Sequence, residues 1–350
     1  MNKKTKALLD EMIELGIITK ESDLTAGDKT GLLFDYMIRK YGYLLKDDVR
    51  TTLPESEYDK GELIHKIMIS LGKYFLNNPQ VIEKKNHKES DEPCIYIANH
   101  RFKDDILATM LAAKERTYLL FGSLPEFFGT FDGLMSAKNG VAMVNRKISS
   151  SRKSSVEKAK DILAHNKSVL IFPEGVWNKT PNNLLLDLWN GFYRIAQKED
   201  GTFYKVVPIV NYIKNTHDKD KNNKIHTYVD SPINLEGMDE KEAITYIRDR
   251  MATIYYNMME EYGKSTREEE LKGFNSSEEA WKDELKKRVA TTAKYDLEIE
   301  TSADRKDKNS PLSVWEPIAN LEVTKENAIA VAHAKQLVKT LKKNDYQHNY

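Results

Sequence analysis

Between about residue 93 and residue 263, short apolar runs alternate with longer helical stretches, and this alternation constrains the fold more than any other feature. The runs are rich in β-branched and aromatic side chains, which is typical of strands buried on both faces. Strands that alternate with helices favour a largely parallel sheet with helices packed against it. The predicted strands are residues 94–98, 118–121, 141–144, 168–172, 206–210 and 226–229.

The helical stretches follow from apolar residues spaced three and four positions apart. Within the alternating part they predict helices over residues 154–164, 188–197 and 241–262. Residues 1–88 hold three apolar sets at helical spacing, which predict a small helical bundle packed on the rest of the chain. For the second set a membrane-facing role is the alternative. The sets are Leu8, Leu9, Met12, Ile13 and Leu15; Leu32, Leu33, Tyr36, Met37 and 41–45; and Leu63, Ile64, Ile67, Met68, Leu71 and Phe75.

The sequence therefore predicts an α/β fold, with a mixed, largely parallel sheet flanked by helices, and helical extensions at both ends. The predicted regions are a helical N-terminal part (1–88), an α/β domain (89–263) and a charged helical extension (264–350). Helices are predicted in the extension near residues 276–293 and 324–343, but its sequence suggests no chemistry.

Composition excludes several functional classes. Lys+Arg and Asp+Glu are equal at 54 each, so net charge does not attract the chain to nucleic acid. The single cysteine, Cys94, excludes an intramolecular disulfide framework and a cysteine zinc site, and it is predicted to pack as a small apolar side chain. No apolar run reaches the ~18–20 residues that span a bilayer, and no secretory segment is recognised. We therefore expect a cytoplasmic protein, with any membrane contact peripheral.

The segment around His100 is the strongest candidate for chemistry. His100 directly follows the predicted strand 94–98, and Asp105 begins a run typical of a helix. Strand-to-helix turns of this kind often carry ligand-binding and catalytic groups. Asp105 could orient the imidazole and stabilise its protonated form, which would make His100 a general base. The alternative is a surface turn in which Asp105 only caps the helix.

Three further segments lie at or near the ends of predicted strands. Residues 140–146 end in a cation, Arg146, and residues 172–175 hold Glu174 between a proline and Gly175. The strand 206–210 contains Pro208, which suits a strand start or an edge strand. Because the ends of parallel strands meet at one edge of a sheet, these groups could converge on one crevice.

The four segments together resemble the four blocks of the glycerolipid acyltransferase family, which includes the glycerol-3-phosphate and 1-acylglycerol-3-phosphate acyltransferases. The blocks are Asn-His-x-x-x-x-Asp from Asn99, Gly-x-x-x-x-x-Arg from Gly140, Phe-Pro-Glu-Gly from Phe172 and Val-Pro-Ile from Val207, in family order over roughly residues 93 to 230.

The resemblance implies acyl transfer from a thioester, acyl-CoA or acyl-carrier protein, to a hydroxyl of a glycerol phosphate or lysophospholipid. His100 would be the general base, Asp105 its orienting carboxylate and Arg146 the ligand of the acceptor phosphate. Glu174 and Gly175 would line the acceptor site, Asn99 would bind substrate, and Val207 with Pro208 would shape the crevice. Backbone N–H groups at the start of the helix after His100 would stabilise the oxyanion. A thioester is already activated, so no metal or other cofactor is implied.

The chain also departs from the family pattern. Met143 replaces a common aromatic residue, and residues 176–178 read Val-Trp-Asn where Thr-Arg-Ser is usual. A second cation for the acceptor phosphate is therefore missing from its usual place, and Lys103 or Lys179 could substitute. Two alternatives remain: a non-catalytic lipid-binding or scaffold protein on the same fold, and acyl transfer to a sugar or amino lipid.

Local charge agrees with an anionic ligand. Cations outnumber acidic residues between Lys138 and Lys179, which predicts a basic patch beside the crevice, although solvated helix charge would give the same pattern. The other histidines show no paired metal spacing and are expected to be structural or exposed. They are His65, His87, His165, His217, His226, His333 and His348.

Overall fold

The computed structural model contains a seven-stranded sheet between two layers of helices. The strands are β1 (Gln80–Lys84), β2 (Ile95–Ala98), β3 (Thr117–Phe121), β4 (Val141–Met143), β5 (Ser168–Ile171), β6 (Val206–Tyr212) and β7 (Ile225–Val229). The residues that the structure describes are 6, 10, 32–45, 55–84, 92–102, 104–122, 127–128, 131–144, 149–175, 178, 185, 188–215 and 220–263.

Seven helices are described. They are α1 (Leu32–Tyr41), α2 (Glu55–Leu71), α3 (Asp105–Ala113), α4 (Phe131–Asn139), α5 (Ser149–Ala164), α6 (Gly191–Ala196) and α7 (Glu240–Tyr262). Short 3₁₀ turns, Gly42–Leu45 and Gly72–Tyr74, follow α1 and α2. Among the described helices, none is both long enough and apolar enough to cross a bilayer.

The sheet order is β1-β7-β6-β2-β5-β3-β4. Strands β6, β2, β5, β3 and β4 run parallel, β7 is antiparallel to β6, and β1 is parallel to β7. All six strands predicted from the sequence are present, and the prediction of a mixed, largely parallel α/β sheet is confirmed.

The continuous apolar runs are explained by burial of both faces of the sheet. Ile95 and Ile97 of β2 pack under α5, α6 and α7, whereas Cys94, Tyr96 and Ala98 pack under α1, α3 and α4. Cys94 is fully buried, as predicted. Because both faces are covered, the parallel strands lie in the core and only their ends reach solvent.

Pro208 is the third residue of β6, which lies inside the sheet, so the prediction of a strand start or an edge strand is wrong. Strand β6 lies between β7 and β2, and the carbonyl of Pro208 accepts a hydrogen bond from the N–H of Asp230, just beyond the end of β7 (2.9 Å). The missing N–H of a proline points to the same side as its carbonyl. The lost bond therefore falls at the end of the β6–β7 ladder, where it disrupts least.

Two elements of the structure were not predicted from the sequence. Strand β1 lies at residues predicted to belong to a helical bundle, and it pairs with β7 instead. Helix α4 was not predicted at all. β1 is a half-exposed edge strand with only two large apolar residues, Val81 and Ile82, so its hydrophobic signal is weak.

The predicted apolar sets of the N-terminal part differ in how far their side chains are buried. In the second set Met37, Tyr41 and Leu44 are buried, which confirms a core role for them over a membrane-facing one. In the third set only Ile64 and Met68 are half-buried. The other four residues are exposed, so the prediction of packing is wrong for Leu63, Ile67, Leu71 and Phe75. The first set, residues 8–15, and the extension, residues 264–350, lie outside the described residues apart from Asp10.

Helix α7 closes the domain and buries a carboxylate. It begins with a capping box, in which Asp239 accepts a hydrogen bond from the N–H of Glu242 (2.8 Å). Further along, Asp249 is 4% exposed, and its nearest cation is Arg248, whose Nε lies 3.5 Å from its Oδ1. Burial raises the pKa of Asp249 from 3.8 to about 6, and Arg248 offsets only part of that effect.

Asp249 is therefore expected to make stability depend on pH. Its folded-state pKa lies above its unfolded value, so its contribution is complete below about pH 4 and is lost as the pH rises through about 6. Asp249→Asn should raise the free energy of unfolding by up to about 3 kcal/mol at pH 8 and much less at pH 4. Urea denaturation of both proteins at the two pH values measures this. Equal differences at pH 4 and pH 8 would contradict it.

Candidate active site

The predicted site residues meet at the carboxyl ends of β2 and β5. These strands are parallel neighbours, with Ile97 opposite Ile171, so the residues that follow them emerge side by side. His100 follows β2 and Glu174 follows β5. The site thus lies at the carboxyl edge of the parallel strands, where open α/β sheets bind ligands.

His100 and Asp105 form a hydrogen-bonded pair. His100 Nδ1 lies 3.1 Å from Oδ1 and 3.0 Å from Oδ2 of Asp105. The Asp105 side chain is 0% exposed, while that of His100 is 17% exposed. An ionised carboxylate can only accept, so Nδ1 carries the proton and Nε2 is left as the basic atom. The imidazole ring of His100 is therefore hydrogen-bonded on its buried side and is partly accessible to a substrate.

Asp105 is anchored by the turn that it closes. Its Oδ2 also accepts hydrogen bonds from the backbone N–H groups of Arg101 (2.6 Å) and Phe102 (3.1 Å). Asp105 is the first residue of α3, and these donors precede it, so the carboxylate does not act as a helix cap. These two N–H groups precede the helix, so the expectation that N–H groups at the start of α3 stabilise an oxyanion stays a prediction.

The neighbouring carboxylate, Asp104, is also close in sequence to His100, but it binds a different partner. Its Oδ2 accepts hydrogen bonds from the backbone N–H and from Nδ2 of Asn77, both at 2.7 Å. Asp104 thus connects the segment after α2 to the start of α3 by hydrogen bonds. The carboxylate that faces His100 is Asp105.

Glu174 holds the backbone of His100. Its Oε1 accepts a hydrogen bond from the His100 N–H (2.8 Å), and its side chain is buried. Gly175 makes this possible because it adopts a φ of +75°, which favours glycine, and its N–H closes a turn onto the carbonyl of Phe172 (2.9 Å). The N–H of Asn178 then donates to the His100 carbonyl (2.6 Å). This last bond uses only backbone atoms, so it does not depend on the unusual side chain at 178.

One aromatic neighbour was not predicted to take part. The ring of Phe172 lies 4.6 Å from the His100 ring, tilted by 40°. Phe172 belongs to the Phe-Pro-Glu-Gly block, so the block was visible in the sequence but this contact was not. The ring packs beside the imidazole and helps to fix its orientation.

Behind the pair lies a buried polar network. Asn99 Nδ2 donates to the carbonyl of Asn211 (2.8 Å), and the Asn211 N–H donates to Asn99 Oδ1 (2.7 Å). Asn211 Nδ2 donates to Thr109 of α3 (2.7 Å), and Thr227 of β7 donates to Asn211 Oδ1 (2.8 Å). Asn99 is 2% exposed and serves to join β2 to β6; its predicted contact with substrate stays a prediction. A lone asparagine after an apolar strand was the available signal for Asn211.

Asn211→Ala is expected to lower the free energy of unfolding by about 2–4 kcal/mol, because it leaves the hydroxyls of Thr109 and Thr227 without their buried partner. Asn222→Ala, at an exposed asparagine, is the control and should change stability by less than about 0.5 kcal/mol. Chemical denaturation measures both. Similar effects at the two positions would show that the network does not stabilise the fold.

The predicted cations are only partly placed. Arg146, Lys103 and Lys179 lie outside the described residues. Two members of the predicted basic patch do not face the crevice: Lys158 is buried and donates to the carbonyl of Leu44 (3.4 Å), and Lys167 pairs with Glu62 (3.2 Å) ahead of β5. The prediction of a patch beside the crevice is wrong for these two lysines.

Histidines outside the site have structural surroundings where they are described. His65 is buried between Asn139 Oδ1 and the carbonyl of Lys114, each at 3.2 Å. His226 stacks on the ring of Tyr262 at 3.5 Å, and burial is the main cause that lowers its pKa. In the described part of the chain no cluster of three His, Cys, Asp or Glu side chains could hold a metal ion.

Comparison with known proteins finds a family model that matches the part of the chain carrying the site. Residues 78–211 match the family model described as Acyltransferase, and this segment contains His100, Asp105 and Glu174. No curated protein matches the sequence significantly. Among solved structures, the chain is similar to the 1-acyl-sn-glycerophosphate (LPA) acyltransferase PlsC of Thermotoga maritima, with 16% identity and a TM-score of 0.45, over 65% of this chain and 93% of that one.

Proposed function

We propose that this protein is an acyltransferase of the family whose model matches residues 78–211, and that it transfers a fatty acyl group from a thioester to a hydroxyl of a phosphorylated glycerol or lysophospholipid. The observation that supports it best is the pair of His100 and Asp105, held at 3.0 Å at the end of β2.

In the proposed reaction His100 Nε2 takes the proton from the acceptor hydroxyl as its oxygen attacks the thioester carbonyl carbon. Asp105 accepts the hydrogen bond from Nδ1–H and stabilises the imidazolium that forms. The carbon–sulfur bond then breaks, and the imidazolium returns its proton to the leaving thiolate. A positioned base of this kind contributes ~10²–10⁴-fold to the rate.

The acceptor is assigned to the side of the site that carries Glu174 and Gly175. We assign Arg146, which follows β4 by three residues in the sequence, to the acceptor phosphate. Its planar guanidinium suits a phosphate because it can bind two oxygens at once. Lys103 and Lys179 are the proposed sources of a second cation, since residues 176–178 supply none.

The donor is proposed to be acyl-CoA or an acyl-carrier protein, and the reaction as written needs no metal or other cofactor. For localisation, we propose a cytoplasmic protein; a lysophospholipid acceptor is amphiphilic, so with that acceptor the protein would contact the inner face of the membrane peripherally.

The proposal is tested by mass spectrometry of products from the purified full-length chain. Acyl-CoA and acyl-carrier-protein donors are each combined with glycerol 3-phosphate, lysophosphatidate, and unphosphorylated sugar and amino lipids. We expect product with a phosphorylated acceptor. Product with only unphosphorylated acceptors would reassign the substrate, and no product with any pair would favour a non-catalytic lipid-binding protein.

Arg146→Ala is expected to raise the KM for a phosphorylated acceptor about tenfold or more while kcat changes less, because a charge-assisted contact to phosphate is lost. Steady-state kinetics with glycerol 3-phosphate measures this. Lys147→Ala, at the neighbouring cation, is the matched control. An unchanged KM in the Arg146 variant would remove its assigned role.

A further inference from the structure

The histidine and the aspartate of the candidate site belong to two different elements. His100 follows strand β2, and Asp105 is the first residue of helix α3. The bond between them, 3.0 Å from Nδ1 to Oδ2, therefore depends on where the helix lies relative to the strand. A displacement of the helix by about 1 Å would lengthen this bond beyond the usual range of protein hydrogen bonds.

Asn211 of β6 is hydrogen-bonded to both elements. On the side of β2, its N–H donates to Asn99 Oδ1 (2.7 Å) and its carbonyl accepts from Asn99 Nδ2 (2.8 Å). Asn99 directly precedes His100. On the side of the helix, Asn211 Nδ2 donates to Thr109 Oγ1 of α3 (2.7 Å). Asn211 thus bridges the strand end that carries His100 and the helix that carries Asp105.

Thr109 lies on the same side of α3 as Asp105. The two residues are four positions apart, which is about one helical turn, and both are 0% exposed. The bond from Asn211 therefore holds the side of the helix whose first turn presents the Asp105 carboxylate to His100. A change at Thr109 would act on Asp105 through the helix, without removing an atom of the pair.

The side chain of Asn211 is fixed at both ends of its amide. While Nδ2 donates to α3, Oδ1 accepts from Thr227 Oγ1 of β7 (2.8 Å). Thr227 in turn accepts from Gln80 Nε2 of β1 (2.8 Å), which also donates to the carbonyl of Ala108 in α3 (2.7 Å). A buried network in which these groups all have partners holds its members rigidly. The start of α3 is therefore attached to three strands.

We propose that Asn211 and Thr109 are positioning residues that set the separation of His100 and Asp105. They act on the pair through Asn99 and through α3, and not on the substrate. The inference rests on the proposed function in one respect, namely that His100 serves as the base in acyl transfer. The separation of the two side chains can be measured without any substrate.

The kinetic test removes the hydroxyl of Thr109 from the full-length chain. Thr109→Val keeps the volume of the side chain, and Thr109→Ala removes the same hydroxyl with a residue of higher helix propensity, which favours a folded variant. With the acceptor that the wild-type chain uses, kcat should fall about tenfold in both variants because the base is misplaced, whereas KM should change less than about twofold. Thr109→Ser keeps the hydroxyl and should retain kcat.

The ring proton of His100 reports the separation without turnover. A hydrogen bond to a carboxylate moves the NMR signal of the Nδ1 proton downfield, and the signal that His100→Ala protein lacks belongs to His100. In Thr109→Val and Thr109→Ala this signal should move upfield or disappear through exchange with water, and in Thr109→Ser it should persist. If the chain transfers no acyl group, the proposed function fails, but this signal still decides the positioning role.

Thr253→Val is the matched control. Thr253 is another buried helical threonine, 4% exposed, and its hydroxyl donates to the carbonyl of Asp249 within α7 (2.7 Å). This variant should keep both kcat and the His100 signal. An unchanged signal or an unchanged kcat in the folded Thr109→Val and Thr109→Ala proteins would overturn the proposal. An equal change in Thr253→Val or in Thr109→Ser would overturn it as well.

Discussion

Replacement of His100 by alanine is expected to lower kcat by about 10²–10⁴-fold while the chain stays folded. The loss follows because Nε2 is the ring nitrogen that can take a proton when Nδ1 donates to Asp105. The side chain is partly exposed, so its removal leaves most of the packing intact. Initial rates of acyl transfer, together with the thermal unfolding midpoint, measure the two effects separately.

His165→Ala is the matched control for this change. His165 also lies close to an aspartate, with Nδ1 3.6 Å from Asp161 Oδ1, but its side chain is exposed in the turn after α5, and Asp161 is only half-buried. Full activity is expected in this variant. A His100 variant with wild-type turnover would exclude the proposed base, and an equal loss in both variants would point to a general effect on folding.

Asp105→Asn is expected to lower kcat by about 10²–10⁴-fold, with a smaller change in KM. The amide oxygen can still accept from the N–H groups of Arg101 and Phe102, so the turn can persist. The amide NH₂ would then face His100 Nδ1 and favour the tautomer whose proton is on Nε2. That tautomer cannot accept the proton of the acceptor hydroxyl.

Asp104→Asn provides the comparison within the same turn. It weakens the two hydrogen bonds from Asn77 without touching His100, so we expect a change in kcat of only a few-fold. Steady-state kinetics on both variants decides which carboxylate orients the base. A larger kcat loss at Asp104 than at Asp105 would reverse the assignment.

The local sequence pattern was sufficient to predict the central strands of the sheet. Strands β2, β5 and β6 are buried on both faces, so nearly every residue in them is apolar, and the runs stand out from their flanks. The edge strand β1 has solvent on one side and carries charged residues, and its sequence does not separate it from the helical part before it. Helical periodicity in α2 was also visible, but it could not show which apolar residues would be covered.

The sequence by itself determined the chemical groups and their order: a histidine five positions before an aspartate, a glutamate between proline and glycine, and an arginine after an apolar strand. Only the tertiary structure determined which of these groups lie next to each other. The His100 N–H reaches Glu174 across 74 positions, and Asn99 pairs with Asn211 across 112. Parallel strands pair only after a crossover through a helix, so neighbours in the sheet are selected by how the helices pack on it. That packing placed β2 between β5 and β6, and it left Leu63, Ile67 and Leu71 of α2 exposed.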